Sequence, residues 1–381
     1  MNGSQHPESR VEGSLAEIAK VFFKLGCIGF GGPAVHIAMM EEEVVRKRKW
    51  ITPEHFLDLV GATNLIPGPN STEMTMHCGH ERGGWRGLVV AGLCFILPAV
   101  VITGALAWAY QRYGTLPQVQ PFIYGIKPAI IAVIFALMIS LGKKALKSTM
   151  MAVIGACALI LTLVGVNEIL VLFGSGFAGI LIYYSTRRDL TRMIALPFVV
   201  ILSAMNDYTT HWRVFWIFLK VGAILYGSGY VLFAFLDAEL VAKGLITKQE
   251  LIDAIAVGQF TPGPVFSAAT FIGWQLGGLW GAIAATVGIF LPSFLFVAFL
   301  NPIIPRLRGS KLMSAFLDAV NIASVAIILA VAVEMGRATI GDWRTIAIAL
   351  LSFVITFRFR KFNSAFIVLG GALLGYLLSF I

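Results

Sequence analysis

The tripeptide Pro-Gly-Pro occurs twice, at Pro67-Gly68-Pro69 and Pro262-Gly263-Pro264, each between two apolar runs of helical character. No regular helix accommodates it. Each proline removes a backbone donor and clashes with the turn before it, and the glycine loosens the chain. A soluble protein would carry such a break in a surface loop. This chain, however, is 58% apolar and 13% charged, whereas soluble domains carry about 25% charged residues. The class that fits is an all-α polytopic membrane protein. At membrane depth a broken helix persists only where protein or a water-filled cavity covers its exposed backbone. A break present in both halves therefore points to a transport site.

Other features narrow the class further. Residues 1–14 are polar, so no cleavable signal peptide is expected. The net charge of +9 sits in short loops between apolar runs, which positive-inside bias explains without nucleic acid. Cys27, Cys78, Cys94 and Cys157 lie scattered in apolar context and read as small buried hydrophobes. No cofactor or metal is expected. His77-Cys78-Gly79-His80-Glu81 lacks a second ligand cluster. Gly174 to Gly179 fits G-x-G-x-x-G, but it lies in an apolar span with no strand before it and reads as helix packing.

The two halves match in register. Lys24 returns as Lys220, Glu43 as Glu239, Asp58 as Asp253, Gly83-Gly84 as Gly277-Gly278, Leu97-Pro98 as Leu291-Pro292, and Asn167 as Asn363. The offset runs from 196 (Lys24 to Lys220) to 194 (Leu97 to Leu291). Chance does not hold so many landmarks in step, so the chain is a tandem duplication. We expect a polar tail over 1–15, a first transmembrane repeat over 16–184, a linker over 185–211 and a second repeat over 212–381. The linker holds a short apolar run, Met193 to Met205, which would cross the membrane.

Loop charge assigns the faces. Lys143, Lys144 and Lys147 follow the second long span of the first half, and Arg187, Arg188 and Arg192 follow the fourth. In the second half Arg306, Arg308 and Lys311 follow the first long span, and Arg358, Arg360 and Lys361 the third. Equivalent loops thus lie on opposite faces, as in inverted-topology repeats. Residues 16–45 and 54–80 read as re-entrant hairpins with tips at Phe30 to Pro33 and at the first Pro-Gly-Pro. The alternative is two full crossings each.

At these residues the sequence resembles the chromate ion transporter family, in its long two-domain form. The motifs are Phe30-Gly31-Gly32-Pro33-Ala34-Val35-His36-Ile37, Trp50-Ile51-Thr52 with Phe56-Leu57-Asp58, Pro67-Gly68-Pro69-Asn70-Ser71-Thr72, and Phe95-Ile96-Leu97-Pro98. Weaker copies are Tyr226-Gly227-Ser228-Gly229-Tyr230 and Pro262-Gly263-Pro264-Val265-Phe266. The resemblance implies export of chromate, with sulfate as its chemical look-alike, from a bacterial inner membrane, and no enzymatic activity. Tyr226-Gly227-Ser228-Gly229 departs from the family's phenylalanine-and-glycine pattern, which puts the substrate range in question.

A tetrahedral dianion needs backbone donors, hydroxyls and positive charge. Half-helices starting after each Pro-Gly-Pro would aim orphan N–H groups and a dipole at it; the plainer alternative is a packing kink. The candidate substrate-binding residues are Phe30, Gly31, Gly32, Pro33, His36, Asn64, Pro67, Gly68, Pro69, Asn70, Ser71, Thr72, Tyr226, Gly227, Ser228, Pro262, Gly263 and Pro264. Lys24 and Lys220 join them as intramembrane cations or as snorkelling residues, and Lys127 as a pocket or structural cation. Glu73, Asp58 and Asp253 are candidates for proton coupling. The expected function is secondary transport by alternating access, driven by membrane potential, proton antiport or both. The alternatives are an uptake carrier for sulfate or another small anion, and an intramembrane enzyme using Glu73, His77 and His80. The expected partners are the oxyanion, the bilayer and, by default for a symmetric fold, a second copy.

Overall fold

The computed structural model describes residues 14–30, 32–185, 210–226, 229, 231–300, 310–359 and 363–380. Gly31, Gly227, Ser228 and the expected crossing segment 193–205 lie outside the described residues, as do Arg187, Arg188, Arg192, Arg306, Arg308, Arg360 and Lys361. Among the described residues every regular element is helical.

The first repeat contains α1 (Leu15–Ile28), α2 (Pro33–Met40), α3 (Pro53–Thr63), α4 (Asn70–Tyr113), α5 (Gln120–Ala145), α6 (Thr149–Leu163) and α7 (Glu168–Ser185). The second contains α8 (Thr210–Ile224), α9 (Val231–Leu236), α10 (Lys248–Phe260), α11 (Ala268–Leu300), α12 (Lys311–Thr339), α13 (Trp343–Arg358) and α14 (Ser364–Leu378). A π-helical turn extends α2 (Glu41–Lys47) and another extends α9 (Asp237–Val241). Sequence signals set the boundaries. Thr52 caps α3 by accepting from the His55 N–H at 3.3 Å. Thr247 and Glu250 form a capping box on α10. Asn167 and Asn363, equivalent in the repeats, each accept a backbone N–H two residues on at 3.0 Å.

α4 and α11 are not straight rods. Gly84 (φ 56°, ψ −149°) and Gly278 (φ 59°, ψ −148°) take a conformation that side chains oppose. A Cβ at Gly79 would stand 2.5 Å from the Ala91 Cβ, and one at Gly273 2.6 Å from the Ala285 Cβ. A straight helix would separate such residues by about 18 Å. Each helix therefore folds back at Gly-Gly into a hairpin with a short arm (70–82, 268–276) and a long apolar arm (85–113, 279–300). The Gly-Gly turns lie at opposite ends of the molecule, because Trp274 beside the second turn donates to Gln111 at the far end of α4, 2.8 Å away.

The repeats interlock. α5 packs on α13 and α14 of the other repeat, and its counterpart α12 packs on α6 and α7. Backbone approaches backbone where Gly125 meets Gly371 and Gly375. Gly176 and Gly179 seat α7 against Phe316 and Ala319 of α12, so the glycine-rich run is a packing surface. α5 and α12 occupy equivalent places yet run in opposite directions. The end of α5 meets the start of α12 through Lys147 and Asp318, 2.6 Å apart, and the start of α5 meets the N-cap of α13 through Tyr124 and Asp342. Equivalent helices running antiparallel across a pseudo-two-fold are inverted-topology repeats. Five described helices are long and apolar enough to cross a bilayer. The chain is a multi-pass membrane protein.

Gly84→Ala and Gly278→Ala each force a side chain into a conformation costing about 1–3 kcal/mol. Each should lower the thermal midpoint in detergent. Alanine scanning of neighbouring exposed positions supplies the baseline, and an unchanged midpoint would count against the hairpin.

Candidate functional site at the paired helix breaks

Each repeat has two breaks, after α1 and after α3 in the first and after α8 and after α10 in the second. Within each Pro-Gly-Pro only the glycine has an N–H. Gly68 (φ 137°) donates to the Leu225 carbonyl at 2.8 Å, and Gly263 (φ 91°) donates to the Gly29 carbonyl at 2.8 Å. Leu225 and Gly29 are themselves equivalent, 196 residues apart. The bonds are reciprocal across the pseudo-two-fold and join each Pro-Gly-Pro to the first break of the other repeat.

His36 supports the second of these bonds. Its Nε2 lies 2.8 Å from the Gly29 carbonyl, which can only accept, so Nε2 carries the proton. Nδ1 is buried without a partner, and the ring stands edge-on to Phe95 at 5.3 Å. Asn70 bridges the gap before α4 by donating to Asn64 at 2.8 Å. α4 then starts with no side-chain cap; the Thr72 and Glu73 N–H groups bond the Pro69 carbonyl, and those of Asn70 and Ser71 are left open at the break. Ser71, Thr72 and Glu73 are buried, and neither the Thr72 hydroxyl nor the Glu73 carboxyl has a hydrogen-bond partner.

The two copies differ in polarity. The face of Gly68 is crowded by the Glu73 carboxyl and the Ser293 hydroxyl. The face of Gly263 meets Ala99, 2.8 Å from where a Cβ would stand, and Ser267 or Ala268 stands in place of Glu73. Near the second copy Ser267 accepts from Thr103 at 3.3 Å, joining the repeats again. Thr270 and Thr286 bond at 2.8 Å.

The cations are held elsewhere. Lys24 pairs with Glu43 at 3.0 Å, and Lys47 and Arg48 share that carboxylate. The equivalent Lys220 pairs with Glu239 at 2.5 Å, which Lys243 also holds at 2.6 Å. Sequence reasoning offered these lysines as intramembrane cations or as snorkelling residues; the structure gives each a carboxylate of its own repeat. Lys127 pairs with Asp253 at 3.3 Å, and Tyr110 donates to the same carboxylate at 2.6 Å. Asp253 is thus buried and paired, whereas its counterpart Asp58 is exposed. Tyr226 packs edge-on to Phe173 and Phe316, and its carbonyl lies 3.3 Å from the Ser324 hydroxyl. The structure thus assembles Pro67 to Glu73, Gly29, His36, Tyr226 and Pro262 to Pro264 around the crossing, with Phe30, Gly32 and Pro33 in the first break. Ser293 escaped sequence reasoning, although its mismatch with Ala99 after a matched Leu-Pro was its signal. Among the described residues no group of three or more His, Cys, Asp or Glu side chains could hold a metal ion.

A crossing of broken half-helices between inverted repeats is the architecture of secondary membrane transporters. The chain belongs to the chromate transporter family, whose sequence profile matches residues 16–180 and 212–376. It is 28% identical to a chromate transport protein of Cupriavidus metallidurans, covering 98% of each chain. It is 28% identical to a probable chromate transport protein of Synechococcus elongatus, covering 91% of each chain. Against a chromate transport protein of Pseudomonas aeruginosa the identity is 27%, over 96% of this chain and 92% of that one. No solved structure matches.

Gly263→Ala drives a methyl group against Ala99 of the other repeat. Ala99→Gly should restore part of the lost stability, with a coupling of about 1 kcal/mol in a double-mutant cycle. Strict additivity would show that the breaks do not touch.

Proposed function

We propose that this protein is a secondary transporter that moves chromate, or a sulfate-like dianion, out of the cytoplasm of a bacterial cell across its inner membrane. The observation that carries this reading is the reciprocal pairing of four helix breaks across one pseudo-two-fold. α4 begins there with unsatisfied N–H groups, whose partial positive charge suits a dianion. The Thr72 and Ser293 hydroxyls, both buried without partners, add donors that do not alter the net charge. Lys24 and Lys220 act in this reading as clamps on Glu43 and Glu239 that hold the hairpins, and Lys127 clamps α5 to α10.

Alternating access follows from the inversion. Two repeats that are alike but opposed can exchange conformations, which opens the crossing first to one face and then to the other. The membrane potential is sufficient to drive export. A dianion leaving a negative-inside cell gains about 4.6 kcal/mol per 100 mV. Uptake of sulfate on the same scaffold is the second reading, favoured by Tyr226 where the family pattern has phenylalanine.

Inside-out vesicles separate the two. With an inside-positive potential they should accumulate chromate several-fold above vesicles lacking the protein. Accumulation of sulfate only in right-side-out vesicles would favour uptake. No movement of either oxyanion would overturn the transport reading.

A further inference from the structure

The outer face of α2 is uncovered. Val35, Ala38 and Met39 follow the spacing of one helical face. With Glu42 beyond them they line a groove of about 590 Å³ against Lys24 and Ile28 of α1. Val35 is 40% and Ile28 49% exposed. The second repeat closes the same place. The positions 196 residues on from Val35, Ala38 and Met39 are Val231, Ala234 and Phe235 of α9. All three are buried, and α12 and α7 pack over that helix. One helix face is thus sealed by protein in the second repeat and open in the first.

The groove is polar at one end only. Arg48 and Arg82 both reach Glu17 near the start of α1, 3.8 and 3.5 Å away, so α1 begins on a basic face. Basic faces mark the cytoplasm. At about 1.5 Å per residue, Lys24 lies about 10 Å and Ile28 about 16 Å along α1 from Glu17. α2 returns towards the same face, where Glu43 beyond it meets Lys24, Lys47 and Arg48. Lys24, Lys47 and Glu42 therefore rim the cytoplasmic end, and Ile28, Ala34 and Val35 line the deeper end. The rim carries surplus positive charge: Lys24 and residues 41–49 hold five cations against three carboxylates. The Lys24 and Lys47 side chains are each 55% exposed while paired with Glu43. An ammonium has three N–H donors, so both keep donors for a second anion.

We propose that this groove is a binding site for one anionic phospholipid of the cytoplasmic leaflet. The lipid phosphate accepts from Lys24 and Lys47, and an acyl chain lies along Met39, Val35 and Ile28 towards the bilayer centre. Charge selects the occupant. Phosphatidylglycerol brings the net negative charge that the rim lacks, whereas a zwitterionic lipid brings none. The lipid covers α2 as α12 covers α9, and α2 carries the His36 that holds the Gly29 carbonyl. The site does not depend on which anion the protein transports.

The test titrates delipidated full-length protein in detergent with phosphatidylglycerol or phosphatidylcholine. Native mass spectrometry reads bound lipid, and a melting curve reads the thermal midpoint. Phosphatidylglycerol should bind about tenfold more tightly than phosphatidylcholine at one site and raise the midpoint. Lys47→Gln should remove most of that preference; Glu43 keeps Lys24 and Arg48, so the fold is retained. Ala38→Trp fills the groove from an exposed position and should abolish the site for both lipids. Equal affinity of the wild type for the two lipids overturns the proposal, and this arm needs no variant to fold. Binding unchanged by both substitutions overturns it as well. Glycerol phosphate raising the midpoint as far as the lipid does would replace it with a site for free anions. A dimer that Ala38→Trp dissociates would give the groove to a second copy instead.

Discussion

Two hydrogen bonds organise this molecule: Gly68 to the Leu225 carbonyl and Gly263 to the Gly29 carbonyl. A helix interrupted inside a bilayer exposes backbone groups that lipid cannot satisfy, at several kcal/mol each. The prolines reduce that burden, since they have no N–H to orphan. The remaining glycine N–H of each tripeptide finds its acceptor in the broken segment of the other repeat. Neither repeat can satisfy its own break. The same dependence recurs where α5 lies on α13 and α14 and α12 on α6 and α7. The two halves form a single folding unit, although each is a complete sequence repeat.

Symmetry and its violation serve different ends. The symmetric parts are structural: the Gly-Gly hairpins, the Lys24–Glu43 and Lys220–Glu239 clamps, and the asparagine caps on α7 and α14. They recur because each arm needs the same mechanical support. The asymmetric parts are chemical. Glu73, His77 and Ser293 lie on the side of the first Pro-Gly-Pro, where the second copy has Ser267 or Ala268, Phe271 and Ala99, and His36 holds the Gly29 carbonyl that the second Pro-Gly-Pro meets. A duplicated scaffold thus carries one polar chamber rather than two.

Much of the architecture was legible because it is written in local chemistry. Pro-Gly-Pro must break a helix wherever it falls, and Thr52-Pro53-Glu54 must start one. The constant offset between halves reported the repeat, and the positions of lysine and arginine reported its inversion. The lysines were harder to place. Lys24 and Lys220 share register with Glu43 and Glu239, yet spacing alone did not show that a π-helical turn brings each glutamate back onto its lysine. The division of the 44-residue α4 was legible, since 54–80 reads as a re-entrant hairpin apart from the span after it, and Gly84's backbone conformation supplies the turn.

The sequence by itself determined the class of protein, the number and inversion of the repeats, the places where helices break, and the family. These follow from composition, register and the covalent limits of proline and glycine, which act within a few residues. Only the tertiary structure decided which charges are paired and which polar groups stand alone. It joined Asp253 to Lys127 and Tyr110 and sealed Glu73 and His77 without partners. The Asp253 pairing depends on side chains brought together from segments more than a hundred residues apart, and no local pattern along the chain encodes that distance.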